Sequence, residues 1–164
     1  MGTAAEVNFV LQQGFRDASA ADCELRYPAL MWQPRVIGCV VLIGLVLQAW
    51  PVFLGLSAIL WWNAALPQRN PFDALYNRFI APPKALQRLT PAPGPRRFAQ
   101  GMAASVSLGI GASLFYGWSV AAYVLEAFLV LALAFLIFGR FCVGSYVFHL
   151  LKGEKRFANR TLPW

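Results

Sequence analysis

The chain has 164 residues, of which 59% are hydrophobic and 13% charged, and a mean hydropathy of +0.54. A soluble domain of this size carries about 45–50% apolar and ~25% charged residues, so a water-bounded core is excluded, and the apolar content equally excludes intrinsic disorder. Three cysteines exclude a disulfide scaffold, and a net charge of +7 on so apolar a chain points to anionic lipid headgroups rather than to nucleic acid.

Residues 1–33 read as an N-terminal cytoplasmic extension. Val7, Val10, Leu11 and Phe15 form a short amphipathic stripe, and residues 17–27 a polar, turn-rich connection. The stretch lacks the basic region, apolar core and cleavage site of a secretory signal. Glu6 stands where a myristoylation signal beginning Met1-Gly2 requires Ser or Thr.

Residues 34–80 predict a helical hairpin followed by an interface helix. The block from Val36 to Leu66 has no charge. At 31 residues it measures about 46 Å as one helix, too tall for ~30 Å of hydrocarbon. A break at Gln48-Ala49-Trp50-Pro51 gives two spans of roughly 15 residues each, with Pro51 in a first turn where its missing N–H costs nothing. Asn70 then caps a helix that has Pro71 at its first position. Phe72, Leu75, Tyr76 and Phe79 fall on one apolar stripe bound for the membrane interface, and Asp73, Asn77 and Arg78 face away from it. Ala81-Pro82-Pro83 ends this helix. Residues 81–100 form a Pro-rich basic linker, stiff and extended through Pro91-Ala92-Pro93-Gly94-Pro95.

Residues 101–151 predict a second hairpin and a second interfacial segment. The block from Gly101 to Phe138 holds two spans that turn at Phe115-Tyr116-Gly117-Trp118-Ser119, and Trp50 and Trp118 suit the headgroup level at the two turns. Gly101, Ser105, Gly109 and Ser113, flanked by Ala103, Ser107 and Gly111, make a small-residue ladder for close helix packing, either inside the bundle or against a partner subunit. Residues 152–164 are a basic tail. The resulting fold class is an all-α membrane protein of four transmembrane helices in two hairpins, each followed by a short interfacial amphipathic helix. The two halves then form a weak parallel echo.

Charge sets the orientation. Residues 1–35, the loop 67–100 (which includes Lys84) and the segment from Arg140 onward hold three, six and five basic residues, and the two turns hold none. The positive-inside rule places both termini in the cytoplasm.

Two sets of residues carry potential chemistry. Glu126 is the one charge inside the apolar blocks. It is either a protonated structural carboxyl, bonded to Tyr123 or to a carbonyl of a neighbouring helix, or part of a proton or cation path. Cys142, Ser145, Tyr146 and His149 share one helical face. Cys142 and His149 lie about 10 Å apart along that axis, too far for a nucleophile–base pair, and one Cys with one His is too few ligands for a metal. A lone His149 is a poor basis for a haem or pigment site, so no cofactor is expected. Cys39 reads as a packing residue, and Cys23 forms no motif with Cys142.

Pro95-Arg96-Arg97-Phe98-Ala99-Gln100-Gly101, followed one hairpin later by Phe141-Cys142-Val143-Gly144-Ser145-Tyr146, resembles the signature of a family of small four-span bacterial membrane proteins catalogued as a domain of unknown function. The likeness runs from about Pro34 to Leu151. The family's last motif usually reads Cys-x-Gly-Cys, and some members are similar to proteins encoded beside thioredoxin-like or rhodanese-like genes, which implies thiol or sulfur handling. Here Cys142 matches the first cysteine and Ser145 replaces the second, which removes the resolving thiol of a two-cysteine cycle. The expected function is a non-catalytic accessory or scaffold subunit of a larger inner-membrane complex, in contact with anionic lipids and partner subunits. The alternatives are a thiol-handling protein that uses Cys142 with an external thiol, and a small carrier that uses Glu126.

Overall fold

A computed structural model describes residues 3–82 and 87–162; residues 1–2, 83–86 (with Pro83 and Lys84) and 163–164 lie outside them. All regular structure among the described residues is helical, with no strand. In chain order the helices are α1 (Ala4–Gln12), α2 (Ala20–Leu47), α3 (Trp50–Ala65), α4 (Pro71–Leu75), α5 (Gly94–Phe115), α6 (Ser119–Ile137), α7 (Val143–Leu151) and α8 (Lys155–Arg160). Three of them, α2, α5 and α6, are long and apolar enough to cross a membrane; α3 is apolar with 16 residues.

Local chemistry sets the helix ends. The α2–α3 turn falls at Gln48, in the left-handed region at φ 44°, and at Ala49, with Pro51 in the first turn of α3. The α5–α6 turn uses Gly117 at φ 74°, where glycine carries no Cβ penalty. Asn70 Oδ1 accepts from the Phe72 and Asp73 N–H groups at 2.9 and 3.4 Å and starts α4, which runs on into a π-helical turn over Tyr76–Ile80.

Helix α2 differs from expectation at its start. The polar stretch expected as a turn-rich connection is helical from Ala20, because Ser19 and Asp22 form a reciprocal capping box nine residues before Pro28. Pro28 and Pro34 each forfeit one backbone hydrogen bond without stopping the helix. Its 28 residues reach about 42 Å, longer than the hydrocarbon layer. Helix α5 likewise begins early, with Pro93 as its cap, so Pro95 to Gln100 sit in its first turns rather than in an extended linker.

Helices α2, α3, α5 and α6 close into a ring in which each packs on the next, and α3 and α5 share the most extensive contact. The core between them is Ile37, Val41, Phe53, Leu56, Ile110 and Leu129. The small residues of α5 divide between two neighbours. A Cβ at Gly111 would lie 2.6 Å from Leu54 Cδ2 of α3, and one at Gly109 would lie 2.9 Å from Leu125 Cδ1 of α6. Ser57 of α3 donates to the Ala104 carbonyl at 2.8 Å. Ser105 is exposed and bonds back to Gly101. Gly55, by contrast, faces open space: a methyl added there would meet nothing within 4 Å. Gly55→Ala is therefore expected to raise stability by about 0.5–1 kcal/mol through helix propensity alone, read from thermal unfolding in detergent.

Helix α4 departs from its expected apolar stripe at Tyr76, which is turned inward. Asp73 and Tyr76 are buried, Asn77 exchanges two hydrogen bonds with the Leu89 backbone at 2.9 and 2.7 Å, and Leu75 and Phe79 are exposed. A helix beside an apolar medium gains little by turning leucine inward, whereas a carboxylate must find a partner inside the protein.

Candidate functional site

The site forms where α1, α2, α5 and α7 meet. Arg96, in the first turn of α5, is 5% exposed and bridges two helices. Its guanidinium donates to Asp73 of α4 at 2.7 and 3.2 Å and to Gln33 Oε1 of α2 at 2.7 Å. Gln100, one turn further along α5, donates to the same Gln33 Oε1 at 3.0 Å. These donors fix the amide orientations. Gln33 has its oxygen turned to Arg96 and Gln100, and its Nε2 has no partner; Gln100 has its nitrogen turned to Gln33, and its Oε1 has no partner. The neighbouring Arg97 is exposed and donates to the Ala64 carbonyl at the end of α3 at 2.8 Å.

Beside this network a cavity of about 130 Å³ lies between α2 and α5. Leu60 of α3 and Leu129 and Leu133 of α6 supply apolar walls; Phe9 and Gln13 from the α1 region and Cys142 and Gly144 from the start of α7 close one end. Gln33, Arg96, Gln100 and Ser107 line it too. Four of its lining residues each carry a buried polar atom with no partner: Gln13 Nε2, Gln33 Nε2, Gln100 Oε1 and Ser107 Oγ. Buried polar groups are ordinarily hydrogen-bonded, and each one left unmade costs about 1–3 kcal/mol. Pro34, also in the wall, withholds from the Leu30 carbonyl the N–H that an α-helix would offer it.

The Cys142 face is held from below by α1. Cys142 caps α7, is 7% exposed, and donates its N–H to Gln12 Oε1 at 2.9 Å. Ser145 and His149 are fully buried. Tyr146 turns aside to donate to Asn159 Oδ1 of α8 at 3.1 Å. Gly144 allows this seat, since a Cβ there would stand 2.7 Å from the Ala99 Cα. His149 Nε2 donates to the Gln12 carbonyl at 3.1 Å, and Nδ1 lies 2.7 Å from Glu154, which also pairs with Arg16. Arg140, itself left-handed at φ 53°, donates to Thr3 and pairs with Glu6. The N-terminal helix is thus latched across α7 and α8.

Bonds from His149 and Arg16 hold the Glu154 carboxyl below its ordinary value of 4.5. The stability this contributes is complete above 4.5 and is lost as pH falls through the lowered value. With Glu154 one-third exposed, the effect is about 1 kcal/mol or less. Thermal midpoints recorded from pH 7 to pH 3 are expected to fall more steeply at the acid end for wild type than for Glu154→Gln.

Glu126 lies elsewhere. It is 6% exposed, and the Gln48 side-chain amide, at the α2–α3 turn, donates to both its oxygens at 3.3 and 3.4 Å. Tyr123 is exposed, and Gln48 stands in the place expected for it. This bond ties the end of α2 to α6, and Glu126 does not line the cavity. Trp50 and Trp118 are exposed at the two turns. Trp50 packs edge-on against Phe115 at 5.2 Å, and Trp118 stacks on Tyr116 at 5.5 Å. No group of three or more His, Cys, Asp or Glu residues suited to a metal occurs among the described residues.

Sequence reasoning missed Gln13, Gln33, Asp73, Arg96 and Gln100 as members of one site. The available signal was chemical: glutamines and an arginine placed toward the ends of largely apolar helices.

An all-helical bundle with three helices able to cross a membrane, around a largely apolar cavity with a few polar lining residues, defines a membrane protein with an internal pocket. The chain belongs to the family described as Domain of unknown function (DUF4395), whose model matches residues 28–153 and so takes in both hairpins, Arg96, Gln100 and Cys142. No curated protein and no solved structure matches it.

Proposed function

We propose that the protein is a four-span protein of the bacterial inner membrane that holds a small amphipathic molecule in its core and serves a larger membrane assembly as a non-catalytic subunit. The observation that carries this reading is the cavity, which joins an apolar wall to four lining residues that each carry a buried polar atom without a partner. A pocket that is mostly apolar with a few placed polar groups is the usual form of a small-molecule site. Support for the topology comes from the Trp50–Phe115 contact, which brings the two turns to one end, and from the basic segments, which contain every Lys and Arg. Both termini then lie in the cytoplasm beside anionic headgroups.

Protein extracted from its own membranes and analysed by native mass spectrometry is expected to carry a small molecule of fixed mass, with partner subunits in constant ratio. Ala103→Phe, which fills the cavity, is expected to lose the small molecule. A ligand-free wild-type monomer would count against both parts of the proposal.

A second reading gives Cys142 a role toward an external thiol, because the residue lines this same cavity at the start of α7. In that case Cys142→Ala is expected to produce a phenotype under thiol or sulfur stress; a silent variant removes the reading.

A further inference from the structure

The arrangement of donors and acceptors narrows the ligand class, and this step rests on the cavity being a binding site. The one ionised side chain in the lining is Arg96, and its charge is already met by Asp73 at 2.7 Å, with both groups buried. An anionic head would meet no uncompensated positive charge in the lining, and a cationic head no uncompensated negative one. Either would be a buried charge without a partner, which proteins avoid at high cost.

The unpartnered atoms of the lining residues are neutral and directional. Gln33 Nε2 and Gln13 Nε2 can only donate, Gln100 Oε1 can only accept, and Ser107 Oγ can do both. The orientation of the two central amides follows from the Arg96 and Gln100 bonds to Gln33 Oε1. Exchanging the ends of the Gln33 amide would set its NH₂ against two donors. The lining residues Gln33 and Gln100, which bond each other, therefore carry a fixed donor and a fixed acceptor. A hydroxyl or an uncharged amide satisfies both, whereas an ether or a ketone satisfies the donors alone.

Size adds a further limit. At about 130 Å³ the cavity is close to the roughly 150 Å³ of an engineered apolar cavity that accepts benzene. It holds a compact head with a short length of hydrocarbon. We infer that the cavity binds uncharged amphiphiles whose head both donates and accepts a hydrogen bond, an alcohol or amide on an apolar chain, and rejects carboxylates and ammonium ions of the same length.

Four six-carbon probes separate these cases: hexanol, hexanamide, hexanoate and hexylammonium. Each is titrated by ligand-observed NMR into the full-length protein in detergent, with Ala103→Phe in the same detergent subtracting partition into micelles. The expected result is saturable binding of hexanol and hexanamide to wild type alone, at least tenfold weaker in Gln100→Leu, and none of hexanoate or hexylammonium. Ser107→Ala provides a second variant that removes no existing hydrogen bond of that side chain, and it too is expected to weaken hexanol. Binding of a charged probe as tight as that of hexanol overturns the neutral class while leaving the pocket in place. Saturable binding of none of the four overturns the site itself. Neutral binding unchanged in both Gln100→Leu and Ser107→Ala overturns the assignment of the head to these groups.

Discussion

Arg96→Met is expected to destabilise the protein by about 3–5 kcal/mol, because it leaves the Asp73 carboxylate buried with no counter-charge. Three bonds disappear together: two to Asp73 and one to Gln33. The ties of α5 to α4 and to α2 both loosen as a result. The double variant Arg96→Met with Asp73→Leu is expected to recover most of this loss, since apolar replacement of a buried ion pair is often neutral. Arg97→Met, one residue along the same motif, is expected to cost only about 1 kcal/mol, the worth of one exposed bond to the Ala64 carbonyl. Chemical unfolding in a fixed detergent measures all three. Equal losses at Arg96 and Arg97 would mean that the ion pair does not organise the bundle.

Gly144→Ala is expected to cost about 1–3 kcal/mol through overpacking. Its new methyl meets the Ala99 backbone, which belongs to a helix and cannot rotate away. Helix α7 must then lift from α5, which opens the seat of Cys142, Ser145 and His149 beneath α1. The accompanying result is faster alkylation of Cys142 by a small maleimide than in wild type, where that thiol is 7% exposed. Unchanged stability together with unchanged alkylation would show that α7 does not rest on α5 at this point.

Both effects involve motifs that the sequence displayed without revealing their use. The apolar blocks, the turn at Gln48-Ala49 and the turn at Gly117 were legible because hydrocarbon thickness limits helix length and few residues tolerate a reversal. The cap at Asn70-Pro71 was legible because a side-chain oxygen and a preset φ act locally. The inward face of α4 was not. Leu75 and Phe79 face outward as their stripe implied, but Asp73 and Tyr76 go inside because Arg96, 23 positions away, supplies the carboxylate's partner. Gln33 and Arg96 are 63 positions apart and meet only after two hairpins close. No periodicity records such a pairing. The fate of residues 4–16 was equally hidden, since the Gln12 bonds to Cys142 and His149 span 130 and 137 positions.

The proposed function turns on whether a molecule occupies the cavity lined by α2 and α5. The most direct measurement is an experimental structure of protein taken from its own membranes without added amphiphile. The account predicts density in that space from a compact head within hydrogen-bond distance of Gln33 Nε2 and Gln100 Oε1, continuing as hydrocarbon past Leu60 and Leu129. A cavity closed by its own side chains, with the two amides bonded to each other or to the backbone, would contradict it.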